Sequence, residues 1–471
     1  MDPNSVLPPA PVASYSHHLR ARAGDAILAA SLLGAEATID VIDEAGLRGR
    51  GGAWFPVATK WRTTNRFRSV EAAPSLVVNA AEGEPGSFKD RMLIRRDPYS
   101  VVEGAVIAAR AVGADTIVIA TKESFATEVA RLKSAVAEVQ ALATERIAEV
   151  VFVYGPDRYL FGEESALLEV VVGHQPFPRI GPPWRHGALD MDGTGSPAST
   201  AMAAPFDEGT LPPPALVHNV ETLARVAHVI RYHGADRPEW PVATFLATVS
   251  GDVPVAGVEE FPVGTSLRDV VGDGADDAAA VLNGVSYPLI PAGHLDRPMV
   301  PQPDAETSLP IGAAAIRVFA KGTHPVAIAR AAASFLSVES CGQCLPCKTE
   351  GLAIAGHLDA ARSGAERLPA VAESLQVSSA RVVEGARCGL AGQIQGVVDG
   401  LLAFFPDALA DPAGVRSGPD PVVAPLVDLV DGRAIIDGAH ADVQPDWTTE
   451  TPWSGRFPAT SRDRTFGEDG G

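Results

Sequence analysis

One short stretch constrains this chain more than any other. Cys341-Gly342-Gln343-Cys344-Leu345-Pro346-Cys347 holds three of the only four cysteines in 471 residues, and Cys388 follows far downstream. Thiols arranged C-x2-C-x2-C with a distant fourth match the needs of a [4Fe-4S] cubane, which takes one thiolate per iron. A tight loop supplies three corners and a remote segment closes the fourth. Two other readings stay open at this point. A zinc site with four cysteines usually reads as two C-x2-C pairs. Disulfides would have to form among thiols crowded into one loop, in a chain that shows no secretory signal. The cluster reading predicts a redox protein that handles single electrons.

The length suggests about three domains. Hydrophobic residues make up 46%, enough for ordinary cores. Lys plus Arg number 38 and Asp plus Glu 58, a net charge of −20. That balance argues against nucleic acid or an anionic membrane as the main partner. No apolar run approaches the ~20 residues of a membrane helix. The expectation is a soluble, cytoplasmic protein that does not span a membrane.

In chain order, residues 1–15 read as a flexible arm and His17 to about Leu33 as one helix. Gly46, Gly49, Gly51 and Gly52 follow, with Arg48 and Arg50 among them. Glycine lets backbone N–H groups approach an anion and arginine adds charge, so this is a candidate phosphate cradle. A plain turn is the alternative. Buried-type strands are predicted at 75–80, 116–120 and 149–154, alternating with helices at 101–112 and 124–138. That alternation predicts a parallel α/β sheet. Acidic residues from Glu82 to Asp90 lie just past a strand's carboxyl end, where such folds place ligands; a solvated turn is the bland reading. Glu163 and Glu164 open a helix, where its dipole favours anions for structural reasons alone. The Pro-, Gly- and Ser-rich stretch 176–214 is long enough to be a covering loop. Short strands near 244–252, 257–262, 280–282 and 316–319 around a helix at 267–271 suggest a small β-grasp module. Helices then flank the cysteines, with Ile394, Val397, Val398, Leu401, Leu402 and Phe405 at helical spacing. The tail after 411 shows one hairpin, 426–436, turning at Asp431-Gly432.

Five segments in this order resemble one family. They are GLRGRGGAWFP at 46–56, NAAEGEPGSFKDR at 79–91, GEESALL at 162–168, HNVETLA at 218–224 and ESCGQCLPC at 339–347. The family is that of the flavin- and NADH-binding F-type subunits of respiratory NADH:quinone oxidoreductase, with relatives in soluble hydrogenases and formate dehydrogenases. The resemblance implies a Rossmann-like α/β FMN domain at 36–235 after an arm and helix at 1–35. It further implies a soluble-ligand-binding β-grasp (SLBB) domain at 240–320, a helical [4Fe-4S] bundle at 323–410 and an extension at 411–471. Carried over residue by residue, it places Gly49, Arg50, Gly51, Gly52, Lys60, Asn79, Glu82, Tyr159, Gly162, Glu163, His218, Asn219 and Thr222 around the flavin. It puts Phe55 on the adenine, and Glu84 and Glu164 beside the nicotinamide as the catalytic pair. Cys341, Cys344, Cys347 and Cys388 are the implied cluster ligands. The chain departs from the family's pattern at Trp54, where the family has Gly, at Ala81 for Asp and at His218 for Asn. Gly181, Trp184 and Thr63 likewise replace a Lys, a Phe and another aromatic.

The resulting expectation is an FMN-dependent NAD(P)H oxidoreductase. It passes electrons singly through one [4Fe-4S] cluster to ferredoxin or to an iron–sulfur sister subunit. The competing expectation, motivated by Trp54, Ala81 and Gly181, is an electron-relay or scaffold subunit of a larger complex that no longer binds dinucleotide.

Overall fold

A computed structural model of the chain describes residues 5–22, 24–68, 73–143, 147–179, 214–233 and 243–442. Most of the predicted covering loop at 176–214, including Gly181 and Trp184, therefore lies outside the described residues, as does the chain beyond 442. The chain divides into two compact units. The first comprises Met1–Glu82, Lys89–Leu246 and Glu259–Pro262; the second comprises Gly83–Phe88, Ala247–Val258 and Val263–Gly471.

The first unit is built on a parallel sheet. Its strands are β1 (Ser75–Ala80), β2 (Thr116–Lys122), β3 (Glu149–Gly155) and β4 (Ala215–Asn219), in the order β3-β2-β1-β4. The runs SLVVNA and TIVIATK are buried almost throughout, as strands covered on both faces must be. β3 alternates exposed and covered residues because it lies at the edge. β1 pairs in parallel with β2 on one side and β4 on the other, aligning Asn79 with both Ala120 and Asn219. The chain thus reverses direction across the sheet at β1, and the crevice beyond the carboxyl ends of β1 and β4 is the place such sheets offer a ligand.

Two helices seal the sheet's flank. Pro98–Val112 starts cleanly because Asp97 accepts the Ser100 N–H and Pro98 needs no N–H there. It crosses Val220–Arg231 so closely that a Cβ on Gly104 would stand 1.8 Å from the Leu223 carbonyl oxygen. Asn219 caps that second helix by accepting the Glu221 N–H at 2.9 Å.

Two expectations for the amino-terminal region need correction. The predicted single helix over 17–33 is two, Tyr15–Ala21 and Ala26–Leu33. Asp25 ends the continuity by accepting the N–H groups of Ile27 and Leu28, and Gly24 before it sits at φ +151°. The arm is not loose from residue 5 onward. Val6 and Val12 are buried, Val6 N–H donates to Glu260 at 2.9 Å, and Val12 N–H donates to the Arg96 carbonyl at 2.7 Å.

The second unit carries a mixed sheet and a helical bundle. The sheet runs β6-β5-β11-β7-β8, with β5 at Thr244–Gly251, β6 at Gly257–Pro262, β7 at Ala278–Asn283, β8 at Ile290–Pro291 and β11 at Ala315–Ala320, while β9 (Met299–Val300) and β10 (Leu309–Pro310) pair with each other. The unit boundary runs through β5 and β6. β11 is parallel to β5 and antiparallel to β7, and a short helix, Leu267–Val271, belongs to the same region. The bundle consists of Pro325–Glu339, Leu345–Ser363, Leu368–Arg381 and Leu390–Phe404, each packing on the next, with the last returning to the first. Strands β12 (Leu426–Val430) and β13 (Arg433–Ile436) form the expected hairpin. Asp431 at φ +48° and Gly432 at φ +72° both take the left-handed conformation that a tight hairpin turn requires.

Candidate functional site

The glycine-rich segment closes into a loop at the carboxyl end of the first unit's sheet. Gly49 N–H donates to the Phe55 carbonyl at 2.8 Å and Val57 N–H to the Leu47 carbonyl at 3.0 Å, so residues 50–54 form the tip. The tip is tied down where Arg50 N–H donates to the Thr222 hydroxyl at 2.8 Å. A Cβ on Gly51 would sit 3.5 Å from Asn219 Cβ, and one on Gly162 would sit 3.5 Å from the Ala81 carbonyl. Bare backbone therefore faces the strand ends from two sides.

Around it the predicted residues converge. Asn79 donates to the Gly162 carbonyl at 2.9 Å and its oxygen accepts the Ala81 N–H at 3.2 Å. Lys60 pairs with Glu164 and donates to the Val217 carbonyl at 2.8 Å. Its neighbour Trp61, fully buried, donates its indole N–H to His218 Nε2 at 2.7 Å. That bond makes Nε2 the acceptor and puts the proton on Nδ1. Burial, aided by the Lys60 ammonium, holds this imidazole well below the usual histidine range, so it is neutral. Glu163 caps its own helix through Ser165 and Ala166, and burial raises its carboxyl.

Three predicted side chains are spoken for elsewhere. The Arg50 guanidinium has partners within the protein. It is 2% exposed, donates to the Arg48 and Thr244 carbonyls, and lies 3.9 Å from the centre of the Trp54 ring. Burial, with Arg225 nearby, pulls it down to about 9. Glu82 accepts the N–H groups of Asp90 and Arg91 and the Arg91 guanidinium, which makes it the cap of helix Lys89–Arg96. Glu84 belongs to the second unit, where it accepts the Val285 and Ser286 N–H groups at 2.6 and 3.2 Å. Phe55 is exposed, Tyr159 opens the short turn Tyr159–Gly162, and Thr63 donates to its own helix at Thr59. Trp54 takes φ +52°, a conformation that disfavours any residue with a Cβ, and is nonetheless 3% exposed against Arg50.

Sequence reasoning missed two features. Lys89, Asp90 and Glu221 form a buried charge ring behind Asn219, joined by Arg225. The pairing crosses most of the unit's length and leaves no local pattern. Thr121, aligned with Ala80 at the end of β2, buries a hydroxyl that has no hydrogen-bond partner. Such an orphan at a strand's carboxyl end suits a polar ligand.

In the second unit none of the four cysteines is in a disulfide. Gly342 at φ +82° turns the loop, Cys344 occupies the cap position of helix Leu345–Ser363, and Cys388 lies two residues before the helix that begins at Leu390. Helix amino ends stabilise negative charge, which suits ligands that bind as thiolates. Ser340 Oγ lies 3.4 Å from Cys347 Sγ, Gln343 donates toward Cys341 Sγ at 3.5 Å, and Lys348 holds the Ser337 and Ser340 carbonyls. Burial pushes the Cys341 thiol up and the Cys347 thiol up to about 11, so iron has to displace protons on binding. Among the described residues no group of three or more His, Cys, Asp or Glu closes around a single metal ion.

Known families match both regions. The Nuo51 FMN-binding domain matches residues 42–228, and the NADH-ubiquinone oxidoreductase-F iron-sulfur binding region matches 327–411. The second F-type subunit of the NADH-quinone oxidoreductase of Rhizobium meliloti is 32% identical over 336 residues, 67% of this chain and 74% of that protein. The chain belongs to the family of F-type NADH-quinone oxidoreductase subunits. Its Aquifex aeolicus counterpart is 31% identical, over 72% of this chain and 77% of its own. Among solved structures, an NAD+-reducing [NiFe]-hydrogenase in the H2-reduced state superposes with a TM-score of 0.66 at 32% identity. That match covers 82% of this chain and 63% of the hydrogenase chain. FMN and a [4Fe-4S] cluster are accordingly the cofactors of this F-type relative, and the glycine cradle, the Thr121 hydroxyl and the four cysteines outside any disulfide fit them. No helix among the described residues is long and apolar enough to cross a membrane.

Proposed function

We propose that this chain oxidises NADH at an FMN held in the crevice beyond β1 and β4, and releases the electrons one at a time through a [4Fe-4S] cluster on Cys341, Cys344, Cys347 and Cys388. The observation that carries the reading is the convergence of Gly51, Gly162, Asn79, Lys60, Glu164, His218 and Asn219 at one end of a single parallel sheet. When bound, the flavin accepts hydride and hands on single electrons; the protein supplies orientation and electrostatics. In this reading Gly51 and Gly162 let the backbone approach, Asn79 and Asn219 supply fixed amides, and Lys60 holds Glu164 toward the nicotinamide side. His218 stays neutral and adds no charge. The mixed sheet of the second unit is read as an SLBB β-grasp domain, as its strand order and single short helix suggest. The electron acceptor is an iron–sulfur protein, ferredoxin or a sister subunit, in the reducing cytoplasm where free thiols persist.

The competing reading, an electron relay without dinucleotide binding, draws on the buried Trp54 ring at the loop tip. Anaerobic titration with NADH and with NADPH separates the two. Flavin bleaching by NADH is expected; stoichiometric FMN that neither nucleotide bleaches would sink the oxidoreductase reading and leave the relay.

A further inference from the structure

Asn219 Cβ lies where a side chain on Gly51 would meet it, and its two amide ends go to the protein. The oxygen caps helix Val220–Arg231, and the nitrogen donates to Asp90 Oδ2 at 2.6 Å. Asp90 is buried, and its other oxygen accepts from Lys89 Nζ at 2.8 Å. Lys89 also pairs with Glu221 at 2.9 Å, and Glu221 pairs with Arg225 at 2.8 Å. Glu82 adds its negative charge from the end of β1, while its oxygens bond the Asp90 and Arg91 N–H groups. One lysine therefore lies among three carboxylates, those of Asp90, Glu221 and Glu82, directly behind an amide of the cofactor crevice.

We propose that Asp90 is a proton-linked positioning residue, taking up one proton when the flavin beyond Asn219 is reduced and so setting how the flavin's potential depends on pH. The inference rests on the flavin lying at Asn219. The carboxylates are not equivalent. Burial alone would raise Glu221, but Lys89, Arg225 and Arg50 hold it down at about 2, so it stays ionised. Burial pushes Asp90 up, Lys89 pulls it back, Glu82 and Glu221 oppose Lys89, and the balance stands at about 6. Asp90 is the member of the ring poised to titrate near neutrality. Added negative charge across the Asn219 amide raises it further by simple Coulomb coupling. The balance is one O–H bond formed on the carboxylate with a proton from solvent. The electrons that reduce the flavin come from the nicotinamide in turnover and from dithionite in the test, and the protons the flavin itself takes up on reduction are additional to this one.

The test is a dithionite titration, with mediators, of the flavin in the full-length holoprotein across pH 5 to 8. Because it uses no nicotinamide, its outcome is independent of the donor reading. Wild type is expected to show a potential that falls more steeply with pH above about pH 6. Asp90→Asn keeps the shape of the side chain and is expected to lose that bend. Lys89→Met removes the opposing cation and is expected to move the bend to higher pH. An Asp90→Asn profile that overlays wild type overturns the proposal. Should that variant fail to fold, an unmoved bend in Lys89→Met overturns it equally.

Discussion

Replacing Glu84 separates a structural role from a catalytic one. Its Oε1 accepts from Val285 N–H at 2.6 Å and from Ser286 N–H and hydroxyl at 3.2 Å, and its Oε2 accepts from the same hydroxyl at 3.2 Å. The Ser286 hydroxyl in turn accepts from Gln393 at 3.1 Å, in the first turn of the helix that follows Cys388. Glu84→Ala leaves two backbone donors without an acceptor, at about 1–3 kcal/mol each, so a loss of about 2–6 kcal/mol is expected. For a unit of this size that is about 4–24 °C in Tm. Gly284→Ala reaches the same end by another route. Its Cβ would stand 2.0 Å from Glu84 Oε1, on backbone at φ +62°. Glu84→Gln keeps one acceptor oxygen and removes the charge, so it should lose about 1 kcal/mol. The assay is thermal bleaching of the cluster's visible absorbance beside far-UV circular dichroism. A Glu84→Ala protein that melts within about 1–2 °C of wild type refutes the staple. A Glu84→Gln protein of near-native stability with a raised KM for NADH would add a nicotinamide role to it.

Three further outcomes are expected. Lys60→Met strips Glu164 of its cation and leaves the Val217 carbonyl unbonded, weakening NADH binding by about 2 kcal/mol, roughly thirtyfold; an unchanged affinity by calorimetry would remove Lys60 from the site. Trp54→Gly loses about 3–5 kcal/mol of buried aromatic packing and regains about 1–2 from relief of the left-handed backbone, so urea unfolding should show a net loss of about 1–4 kcal/mol. Buried neutral His218 binds its proton more readily when unfolded, so it removes stability as pH falls below its unfolded value near 6.5; His218→Gln, which keeps an acceptor for Trp61, should flatten the pH dependence of unfolding between pH 7 and 5 by up to about 1.4 kcal/mol per pH unit.

What the sequence made legible was local. Strands β1 and β2 announce themselves as apolar runs because both faces are covered, and Asp431-Gly432 announces its turn because both residues need positive φ. The cysteine spacing is local as well. The residues whose surroundings spacing could not foresee are those whose partners lie far away along the chain. Arg50 reads as a phosphate ligand until Thr244 and Glu221 claim it, and Glu84 reads as an active-site acid until Val285 and Ser286 do. The break at Gly24-Asp25 was hidden because apolar residues continue on both sides of a capping aspartate. Asp90 stood in a quoted motif, yet its significance depends on Asn219 and Glu221, which no spacing rule connects to it.

The central claim is that flavin and cluster form one electron path. It is tested most directly by anaerobic NADH titration of the reconstituted holoprotein, followed together by flavin absorbance and low-temperature EPR, beside Cys388→Ser. The account predicts that NADH bleaches the flavin in both proteins and that a reduced-cluster signal grows only in wild type. A flavin that stays oxidised, or a signal that grows equally in Cys388→Ser, would contradict it.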